Sequence, residues 1–331
     1  MIPLVIAAED THLAHPDNLA TIPDAYDVRV LSNCRRLPEE DLLAALRSAE
    51  VVITGRKSPR MPDALIRDRG KLKWLCHLHG TIRHLVSKEC LAAGLMVTNW
   101  GTSQRPVVEG ALAMLLAQLK QLPAMDRFYK TGEDERVPQG YLPQVRGLDV
   151  GLYGFGPLGR QMEWLLRPLG AKVAIYDPYA TDIPDGVRIC STLRELFETC
   201  AVISIHCGLN DQTRDSVTRE LLELLPQGGL VVNTARGKIV DEEALAELVG
   251  KKRLLAACDV IRDEGNWPGS PLAKHPAAML TGHRVSLGKA VPAGTRPLKP
   301  IPQFALDNLK RYAAGEDLQD VIPPEIYDLK T

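Results

Sequence analysis

Three polar residues that could do chemistry lie at, or shortly after, the ends of three successive hydrophobic runs. They are Arg236, Glu264 and His283. A histidine can remove the proton of an alcohol or protonate a carbonyl oxygen, and a carboxylate can hold the tautomer of its ring. An arginine can clamp a carboxylate and polarise a carbonyl. Each residue alone has a structural interpretation: Arg236 as a helix cap, Glu264 as a solvated loop acid and His283 as a buried histidine. Together, the three residues predict hydride transfer at a hydroxy acid.

A glycine motif predicts the cofactor. Gly154, Gly156 and Gly159 have G-x-G-x-x-G spacing between a hydrophobic run and a helical pattern. In such motifs the first glycine permits a tight turn, the second lets backbone amides approach a pyrophosphate, and the third lets helix and strand pack closely. Asp177 ends the next hydrophobic run, 18 residues after Gly159. A carboxylate there accepts hydrogen bonds from the ribose of NAD and repels the extra phosphate of NADP.

The segment CHLHGTIRH has the composition of a metal site. It contains Cys76, His77, His79 and His84. In an extended chain His77 and His79 share one face and Cys76 points to the other. The sequence has no second cluster that would complete the tetrahedral ligand set of a structural zinc site. We therefore predict no metal ion, and the segment needs another explanation.

The elements that must position these residues are short hydrophobic runs that alternate with helical patterns, which is typical of parallel sheets covered by helices. The first series of runs is 3–9, 26–32, 50–55, 71–79 and 95–100. The second series is 148–154, 171–177, 201–207, 229–235, 254–260 and 277–283. A helix is predicted over 106–122, a polar loop over 129–147, and a last amphipathic helix that returns to the first domain over 304–316.

Composition excludes several classes of protein. The chain has 331 residues, of which 45% are hydrophobic, so two globular domains are expected. Forty basic and 41 acidic residues, without a basic block, make nucleic acid an improbable partner. The seven scattered cysteines suit reduced thiols in a cytoplasmic protein. No run is long enough to span a membrane, and the first residues do not resemble a signal peptide.

At the residues described above, the sequence resembles the D-isomer-specific 2-hydroxyacid dehydrogenases, which include phosphoglycerate, glyoxylate and D-lactate dehydrogenases. The motifs GLYGFGPLGR, VNTARGKIVDEEAL and SPL, with the strand ending in His283, follow the family's order over nearly the whole chain. The resemblance implies that the catalytic residues are Arg236, Glu264 and His283. It places at the cofactor, NAD, the residues Gly154, Gly156, Pro157, Leu158, Gly159, Asp177, His206, Cys207, Thr234, Ala235 and Asp259. It places at the substrate His79, Gly80, Thr81, Trp100 and Ser103.

The resemblance also implies a fold and an activity. The expected fold is α/β, with two doubly wound parallel-sheet domains. A Rossmann NAD-binding domain, residues 102–291, is inserted into a flavodoxin-like substrate-binding domain, residues 1–101 plus 292–331. The expected protein is a homodimeric, NAD-dependent oxidoreductase that interconverts a D-2-hydroxy acid and its 2-oxo acid. An NAD(H)-binding regulatory or scaffold protein of the co-repressor type, with little turnover, is the alternative.

Two further expectations concern single segments. The resemblance identifies residues 79–81 as a turn whose backbone amides bind the substrate carboxylate, while His77 could either face the substrate or be buried and structural. Beside the catalytic histidine, Gly282 stands where the family usually has proline, and Arg284 stands where it usually has a small apolar residue.

Overall fold

The structure is a computed structural model that describes residues 1–10, 12–101, 105–132, 142–286 and 300–329. The chain folds into two compact units. The first unit comprises Met1–Ser103 and Ala290–Thr331, and the second comprises Gln104–Lys289. Both ends of the chain therefore belong to the first unit.

A parallel sheet of five described strands forms the centre of the first unit, in the order β2-β1-β3-β4-β5. The strands are β1 (Ile2–Ile6), β2 (Tyr26–Val30), β3 (Val51–Thr54), β4 (Trp74–His77) and β5 (Met96–Thr98). The helices between them are α1 (Pro16–Leu19), α2 (Glu39–Ser48) and α3 (Lys88–Ala92), with 3-10 helices at Cys34–Arg36 and Asp63–Ile66. Every residue of β3 and β4 is buried, as expected where helices cover both faces of a parallel sheet. The strand order is that of flavodoxin-like folds.

The second unit contains a larger parallel sheet, with the described strands in the order β12-β11-β10-β9-β6-β7-β8. The strands are β6 (Asp149–Tyr153), β7 (Lys172–Tyr176), β8 (Arg188–Ile189), β9 (Val202–Ile205), β10 (Gly229–Asn233), β11 (Leu254–Cys258) and β12 (Ala278–Leu280). From β6 outward this is the Rossmann order, extended by one strand beyond β11. The predicted fold class, with one flavodoxin-like and one Rossmann sheet, is confirmed.

Helices surround this second sheet. They are α4 (Arg105–Leu119), α5 (Leu122–Thr131), α6 (Pro157–Leu166), α7 (Leu193–Thr199), α8 (Arg219–Leu224) and α9 (Glu242–Gly250). Short 3-10 helices occupy Arg167–Leu169, Gly237–Ile239, Trp267–Gly269 and Pro271–Lys274. Ligands of open parallel sheets bind at the carboxyl ends of the strands, where the strand order reverses. In this sheet that position lies between β6 and β9.

The structure corrects three details of the predicted elements. The single helix predicted over 106–122 is two helices, because Gln121 adopts φ +47° and ends α4 before α5 begins. The prediction of a polar loop from residue 129 is wrong at its start, since α5 continues to Thr131, and residues 133–141 lie outside the described residues. Strand β8 is not predicted by the sequence, because its two residues are too short to show a pattern.

The last predicted helix forms as α10 (Gln303–Ala313) and packs in the core of the first unit, and a 3-10 helix follows at Pro324–Leu329. Ala305 and Leu309 are fully buried beside Trp74 of β4. The hydroxyl of Tyr26 donates a 2.6 Å hydrogen bond to the carbonyl of Leu309, and burial raises the pKa of this phenol. The C-terminal helix is therefore part of the first core. Within the described residues, no helix has the length and hydrophobicity to cross a bilayer.

Gln118 joins α4 to the strands it covers. Its Nε2 donates hydrogen bonds to the carbonyls of Ala256 and Ala277, at 2.6 and 2.9 Å, and the side chain is 5% exposed. Buried hydrogen bonds are costly to lose, because the polar groups left without a partner stay desolvated. We therefore expect Gln118→Met to lower the free energy of unfolding by about 1–3 kcal/mol in urea denaturation.

The matched control is Gln227→Met. Gln227 donates a 2.7 Å hydrogen bond to the carbonyl of Lys252, but it is exposed, so water can replace the bond. The control should change the free energy of unfolding by less than about 0.5 kcal/mol. Equal losses in the two variants would contradict the role assigned to Gln118.

Candidate functional site

The glycine motif forms the turn between β6 and α6. Gly154 has φ +98°, and a Cβ there would lie 2.5 Å from the backbone nitrogen of Cys207. A Cβ on Gly159 would lie 2.2 Å from the carbonyl oxygen of Gly154, so helix and turn pack closer than any other residue would allow. Among the described residues nothing lies within 4 Å of a Cβ built on Gly156, the N-cap of α6. The turn thus leaves open space in front of the helix.

The start of α6 offers hydrogen-bond donors to that space. The first N–H groups of a helix have no acceptor within it, and Pro157 has no N–H. The donors are therefore the amides of Leu158 and Gly159, and among the described residues no side chain caps this terminus. Together with the positive end of the helix dipole, this arrangement fits the pyrophosphate of a dinucleotide.

Asp177 lies beside the same turn, directly after β7. Its Oδ2 accepts a 2.7 Å hydrogen bond from the amide of Phe155, and its Oδ1 accepts a 2.9 Å bond from the amide of Tyr179. The carboxylate is half-buried and its position is fixed by these two amides. Each carboxylate oxygen can accept further hydrogen bonds, so Asp177 can also receive ribose hydroxyls.

The other predicted cofactor residues follow β9 and β10. His206 is 7% exposed, and its Nε2 lies 2.9 Å from Ser204 Oγ. Among the described residues its Nδ1 has no partner, and burial lowers the pKa of this imidazole to about 4. Burial raises the pKa of the neighbouring Cys207 thiol to about 12. Thr234 and Ala235 are buried at the end of β10.

Arg236 lies in a short loop that two hydrogen bonds of Asn233 close. The side chain of Asn233, the last residue of β10, donates to the carbonyl of Arg236 and accepts from the amide of Ala235, both at 3.0 Å. The next residue, Gly237, packs so tightly that a Cβ there would lie 2.0 Å from the carbonyl carbon of Ile261. The half-buried Arg236 donates from Nη1 to the carbonyl of Ala235 at 2.7 Å. The arginine is therefore held next to the segment that follows β11.

That segment carries Glu264, which contacts the histidine. Nδ1 of His283 lies 2.8 Å from Oε2 of Glu264, and the two side chains are 37% and 38% exposed. Because Glu264 occupies Nδ1, Nε2 is the ring nitrogen left for a contact with a ligand. The backbone at the histidine is unusual, since Gly282 has φ +69° and His283 has φ +57°. Proline, which fixes φ near −65°, cannot adopt the conformation of Gly282, and this accounts for the glycine in place of the family's proline.

Asp259 organises the turn that bears the histidine. It is 2% exposed, and its Oδ1 accepts hydrogen bonds from Thr281 Oγ1 and from the amides of Arg284 and Val285, at 2.5, 2.8 and 3.1 Å. Its carbonyl accepts from the amide of His283 at 2.5 Å. Among the described residues these donors bind Oδ1 or the carbonyl of Asp259 and not Oδ2. Asp259 therefore supports the histidine whether or not it also binds nicotinamide.

The predicted substrate residues of the first unit follow two neighbouring strands, with His79, Gly80 and Thr81 after β4 and Trp100 after β5. A Cβ on Gly80 would lie 2.6 Å from Trp100 Nε1, so glycine lets the chain run against this ring. The side-chain amide of Asn99 donates to the carbonyl of Gly80. The half-buried His79 ring lies 6.2 Å from the Trp100 ring, and Thr81 is half-buried too. Ser103 lies outside the described residues.

His77 is structural. Its side chain is fully buried, its Nδ1 lies 2.9 Å from Thr54 Oγ1, and its ring is 5.7 Å from that of His79. Burial, reinforced by His79 and His84, lowers the pKa of His77 to about 3. The two rings share one side of the chain, as the alternation of a strand predicts, but only His79 is accessible. No group of three potential metal-ligating side chains occurs among the described residues.

Sequence reasoning missed two residues that position the arginine. Asn233 and Gly237 flank the Arg236 loop, and their roles depend on the carbonyl and amide groups they meet in the folded chain. The signal in the sequence is their place: a polar residue at the last position of a buried strand and a glycine directly after a candidate catalytic residue. Such positions often serve the neighbouring functional residue rather than the core.

Comparison with known proteins shows relatives over almost the whole chain. A family model for the "D-isomer specific 2-hydroxyacid dehydrogenase, NAD binding domain" matches residues 112–284, more than half of the chain. A glyoxylate/hydroxypyruvate reductase of Arabidopsis thaliana is 27% identical over 319 residues, covering 96% of each protein. A glyoxylate reductase of Aeropyrum pernix is 25% identical over 328 residues, covering 96% of this chain and 94% of the relative. The solved structure of a glyoxylate reductase from Paecilomyes thermophila shares the fold, with a TM-score of 0.74, 19% identity and coverage of 98% and 99%.

The two buried histidines predict how stability depends on pH. In the unfolded chain a histidine binds a proton near pH 6.5, whereas His77 and His206 remain neutral in the folded state until about pH 3 and 4. Below pH 6.5 the unfolded state thus binds more protons, so stability falls as the pH falls towards these values. Each histidine contributes at most about 1.4 kcal/mol per pH unit. We expect His77→Asn and His206→Gln to lose stability less steeply than the wild type between pH 6.5 and 4.5.

The measurement is urea denaturation across this pH range, and the control is the exposed His15→Asn. Asparagine and glutamine suit the two buried positions, because they can keep the hydrogen bonds to Thr54 and Ser204. A slope unchanged in both buried-histidine variants would show that these rings are protonated in the folded protein.

Proposed function

Because this chain belongs to the D-isomer-specific 2-hydroxyacid dehydrogenases, we propose that Arg236, Glu264 and His283 interconvert D-2-hydroxy acids and 2-oxo acids with NAD. The observation that carries the proposal is the 2.8 Å contact between His283 Nδ1 and Glu264 Oε2. It joins an acid–base group to an orienting carboxylate, and Nε2 remains for the substrate. The alternative, a regulatory or scaffold protein with little turnover, has no support from the relatives, whose names are those of reductases.

His283 is the proposed acid and base. In the direction of reduction, Nε2 gives a proton to the carbonyl oxygen of the 2-oxo acid, and in oxidation it takes the proton of the 2-hydroxyl group. Glu264 accepts a hydrogen bond from Nδ1–H, which leaves the lone pair of the neutral ring on Nε2 and stabilises the ring when it is protonated. The nicotinamide, when bound, supplies or accepts the hydride.

Arg236 is the proposed substrate clamp. A guanidinium can bind the carboxylate of a 2-oxo acid through two parallel hydrogen bonds and polarise the neighbouring carbonyl. The Asn233 hydrogen bonds and the close packing of Gly237 limit the movement of this loop, so the charge is held in place before the substrate binds. Preorganised charge of this kind is the largest contribution to many enzymatic rate enhancements.

The second unit is the proposed NAD-binding domain. The amides of Leu158 and Gly159 would bind the pyrophosphate and Asp177 the adenosine ribose. Asp259 is the residue proposed for the nicotinamide, and His206, Cys207, Thr234 and Ala235 are further residues proposed to bind the cofactor. Asp177 favours NAD over NADP, because its negative charge would lie next to the additional phosphate.

The first unit is the proposed substrate-binding domain. Support comes from the loop after β4, where Gly80 runs against the Trp100 ring and where His79 and Thr81 are accessible. Backbone amides in this loop would bind the substrate carboxylate, and His79 and Trp100 would contact its remaining atoms. The predicted contribution of Ser103 lies outside the described residues.

The decisive experiment measures NADH oxidation with a panel of 2-oxo acids, including glyoxylate, hydroxypyruvate and pyruvate. We expect turnover by the wild type and a loss of roughly 10³-fold in kcat/KM for Arg236→Leu, because clamp and polariser disappear together. NADH binding, followed by fluorescence titration, should persist in the variant.

The control is Arg194→Leu, because Arg194 is exposed and pairs only with Glu198 among the described residues. It should retain the activity of the wild type. NADH binding without turnover of any 2-oxo acid would favour the scaffold alternative, and an active Arg236→Leu variant would refute the role of the arginine.

We further infer that the protein forms a homodimer through α5 and α6. Leu122, Tyr129 and Trp164 are large hydrophobic residues that are 52%, 79% and 61% exposed on these helices. Both helices pack on α4, and the guanidinium of Arg105 lies 5.4 Å from the Trp164 ring. Large exposed hydrophobic residues are typical of protein interfaces, and a second copy of the chain is the occupant we propose.

Sedimentation velocity tests this assembly. Trp164→Glu places a charge in the proposed interface and should shift the protein towards monomer, whereas Ile189→Glu, at an equally exposed residue of β8, should not. A monomeric wild type, or a dimer unaffected by Trp164→Glu, would contradict the proposed interface.

The thiols support a reducing location, and we propose the cytoplasm. All seven cysteines are free, and six of them are buried. Burial raises the pKa of Cys76 and of Cys258 to about 12, which keeps both thiols protonated and unreactive. These cysteines therefore act as small hydrophobic side chains.

A further inference from the structure

The loop that carries Glu264 needs hydrogen bonds to residues outside the loop to fix its position. It follows β11 and runs through residues 262–270, and Glu264 itself is substantially exposed. Inside the loop, Asp263 Oδ1 accepts the amide of Gly265 at 3.0 Å, and Asn266 Oδ1 accepts the amide of Gly269 at 3.2 Å. These local bonds shape the loop, but they do not fix it relative to the strand that bears His283.

One buried carboxylate fastens both ends of this loop. Glu242, the first residue of α9, is 6% exposed. Its Oε2 accepts a 2.5 Å hydrogen bond from the amide of Arg262, and its Oε1 accepts a 2.5 Å bond from the hydroxyl of Ser270. Ser270 is buried as well, and its Oγ accepts the amide of Leu272 at 3.2 Å. The two oxygens of Glu242 thus hold the residues at either end of the segment.

Among the described residues the hydrogen-bond donors to Glu242 are neutral, and Glu242 lies in the first turn of helix α9. Asp241 caps this helix by accepting the amide of Ala244 at 3.0 Å, and the positive end of the helix dipole favours an anion in the first turn. The nearest cationic group along the loop, the Arg262 guanidinium, is bound by Asp215 at 2.5 Å. A carboxylate that accepts only neutral donors, an amide and a hydroxyl, is suited to fixing a backbone.

Glu242 also stands close to Arg236 along the chain. Only the short 3-10 helix Gly237–Ile239 and two further residues separate them, and Gly237 is packed against the backbone of Ile261. The Arg236 loop and the segment that leads to Glu264 are therefore in direct contact. The hydrogen bonds of the Glu242 carboxylate go to Arg262 and Ser270, so any influence on the reaction passes through the loop.

We propose that Glu242 is a positioning residue, which sets the place of the Glu264 carboxylate against His283 by fastening Arg262 and Ser270. The inference rests on the proposed function of these two residues. A displacement of about 1 Å in a catalytic group can reduce turnover by roughly 10²-fold. Loss of one of the two fastenings should therefore lower kcat without weakening cofactor binding.

The primary variant is Glu242→Gln, which keeps the size of the side chain but replaces one acceptor oxygen by an amide donor. We expect kcat for a 2-oxo acid to fall by roughly 10- to 100-fold, while the KM for NADH changes by less than about twofold. Ser270→Ala should show a smaller loss in the same direction, and Ser270→Thr, which retains a hydroxyl, should restore most of the activity.

The matched control is Glu243→Gln. Glu243 is the next residue of α9, carries the same charge and lies in the same first turn, but it is exposed. It should behave as the wild type. If the two glutamine variants are equally active, Glu242 does not position the loop.

A double-mutant cycle with Glu264→Gln separates positioning from general stability. If Glu242 acts through Glu264, then Glu242→Gln should cost less than about threefold in kcat once Glu264 has already been replaced, because the contact that it positions is gone. Two independent roles would give multiplied losses, and that result would overturn the proposal.

Hydrogen–deuterium exchange tests the fastening without reference to turnover. In Glu242→Gln the amides of residues 259–270 should exchange faster than in the wild type, while Glu243→Gln should leave them unchanged. Unchanged exchange in Glu242→Gln would refute the fastening, whereas a wild type without 2-oxo acid turnover would refute the proposed function. If Glu242→Gln does not fold, Ser270→Ala, which removes one hydrogen bond, provides the same measurements.

Discussion

The contact between His283 Nδ1 and Glu264 Oε2 depends on two loops that leave adjacent strands of the second sheet. Both side chains are more than a third exposed, so their mutual attraction alone is too weak to hold them together in water. The backbone has to place them. Asp259 fixes the turn at the histidine through three hydrogen bonds to its Oδ1. Glu242 fixes the loop at the glutamate, and the exposed pair is thus supported by two buried carboxylates.

Buried carboxylates are costly, because an isolated charge loses its hydration. Here that cost is offset by backbone amides and hydroxyl groups, which donate to Asp259 and Glu242 at distances from 2.5 to 3.1 Å. A hydrogen bond to an ionised group is stronger than one between neutral groups. The hydrogen bonds that stabilise these buried charges also restrict the movement of the two loops, so they set the geometry of the site as well.

Much of this organisation could be predicted from the sequence. The predictions of family, fold class, enzyme class and cofactor are confirmed, because glycine spacing and strand-end residues are local signals in the chain. Contacts between distant residues give no such signal. The hydrogen bond that Ser270 donates to Glu242 spans 28 residues, and although both residues lie in motifs of the sequence, neither motif shows that the two side chains meet. The helix break at Gln121 depends on a left-handed backbone conformation, and a glutamine in the sequence does not predict that conformation. The domain limits and the roles of individual site residues stay predictions.

The hydrogen bond from the amide of Phe155 to Asp177 has a consequence for cofactor engineering. An acidic group at the ribose disfavours the phosphorylated nucleotide, so a redesign for that cofactor has to remove its charge. In this chain the carboxylate proposed for the ribose, Asp177, also accepts a hydrogen bond from the glycine turn, so its deletion would remove a structural acceptor together with the charge. A neutral acceptor such as asparagine at position 177 is therefore a better starting point for redesign than alanine, and compensating basic residues have to come from elsewhere in the turn.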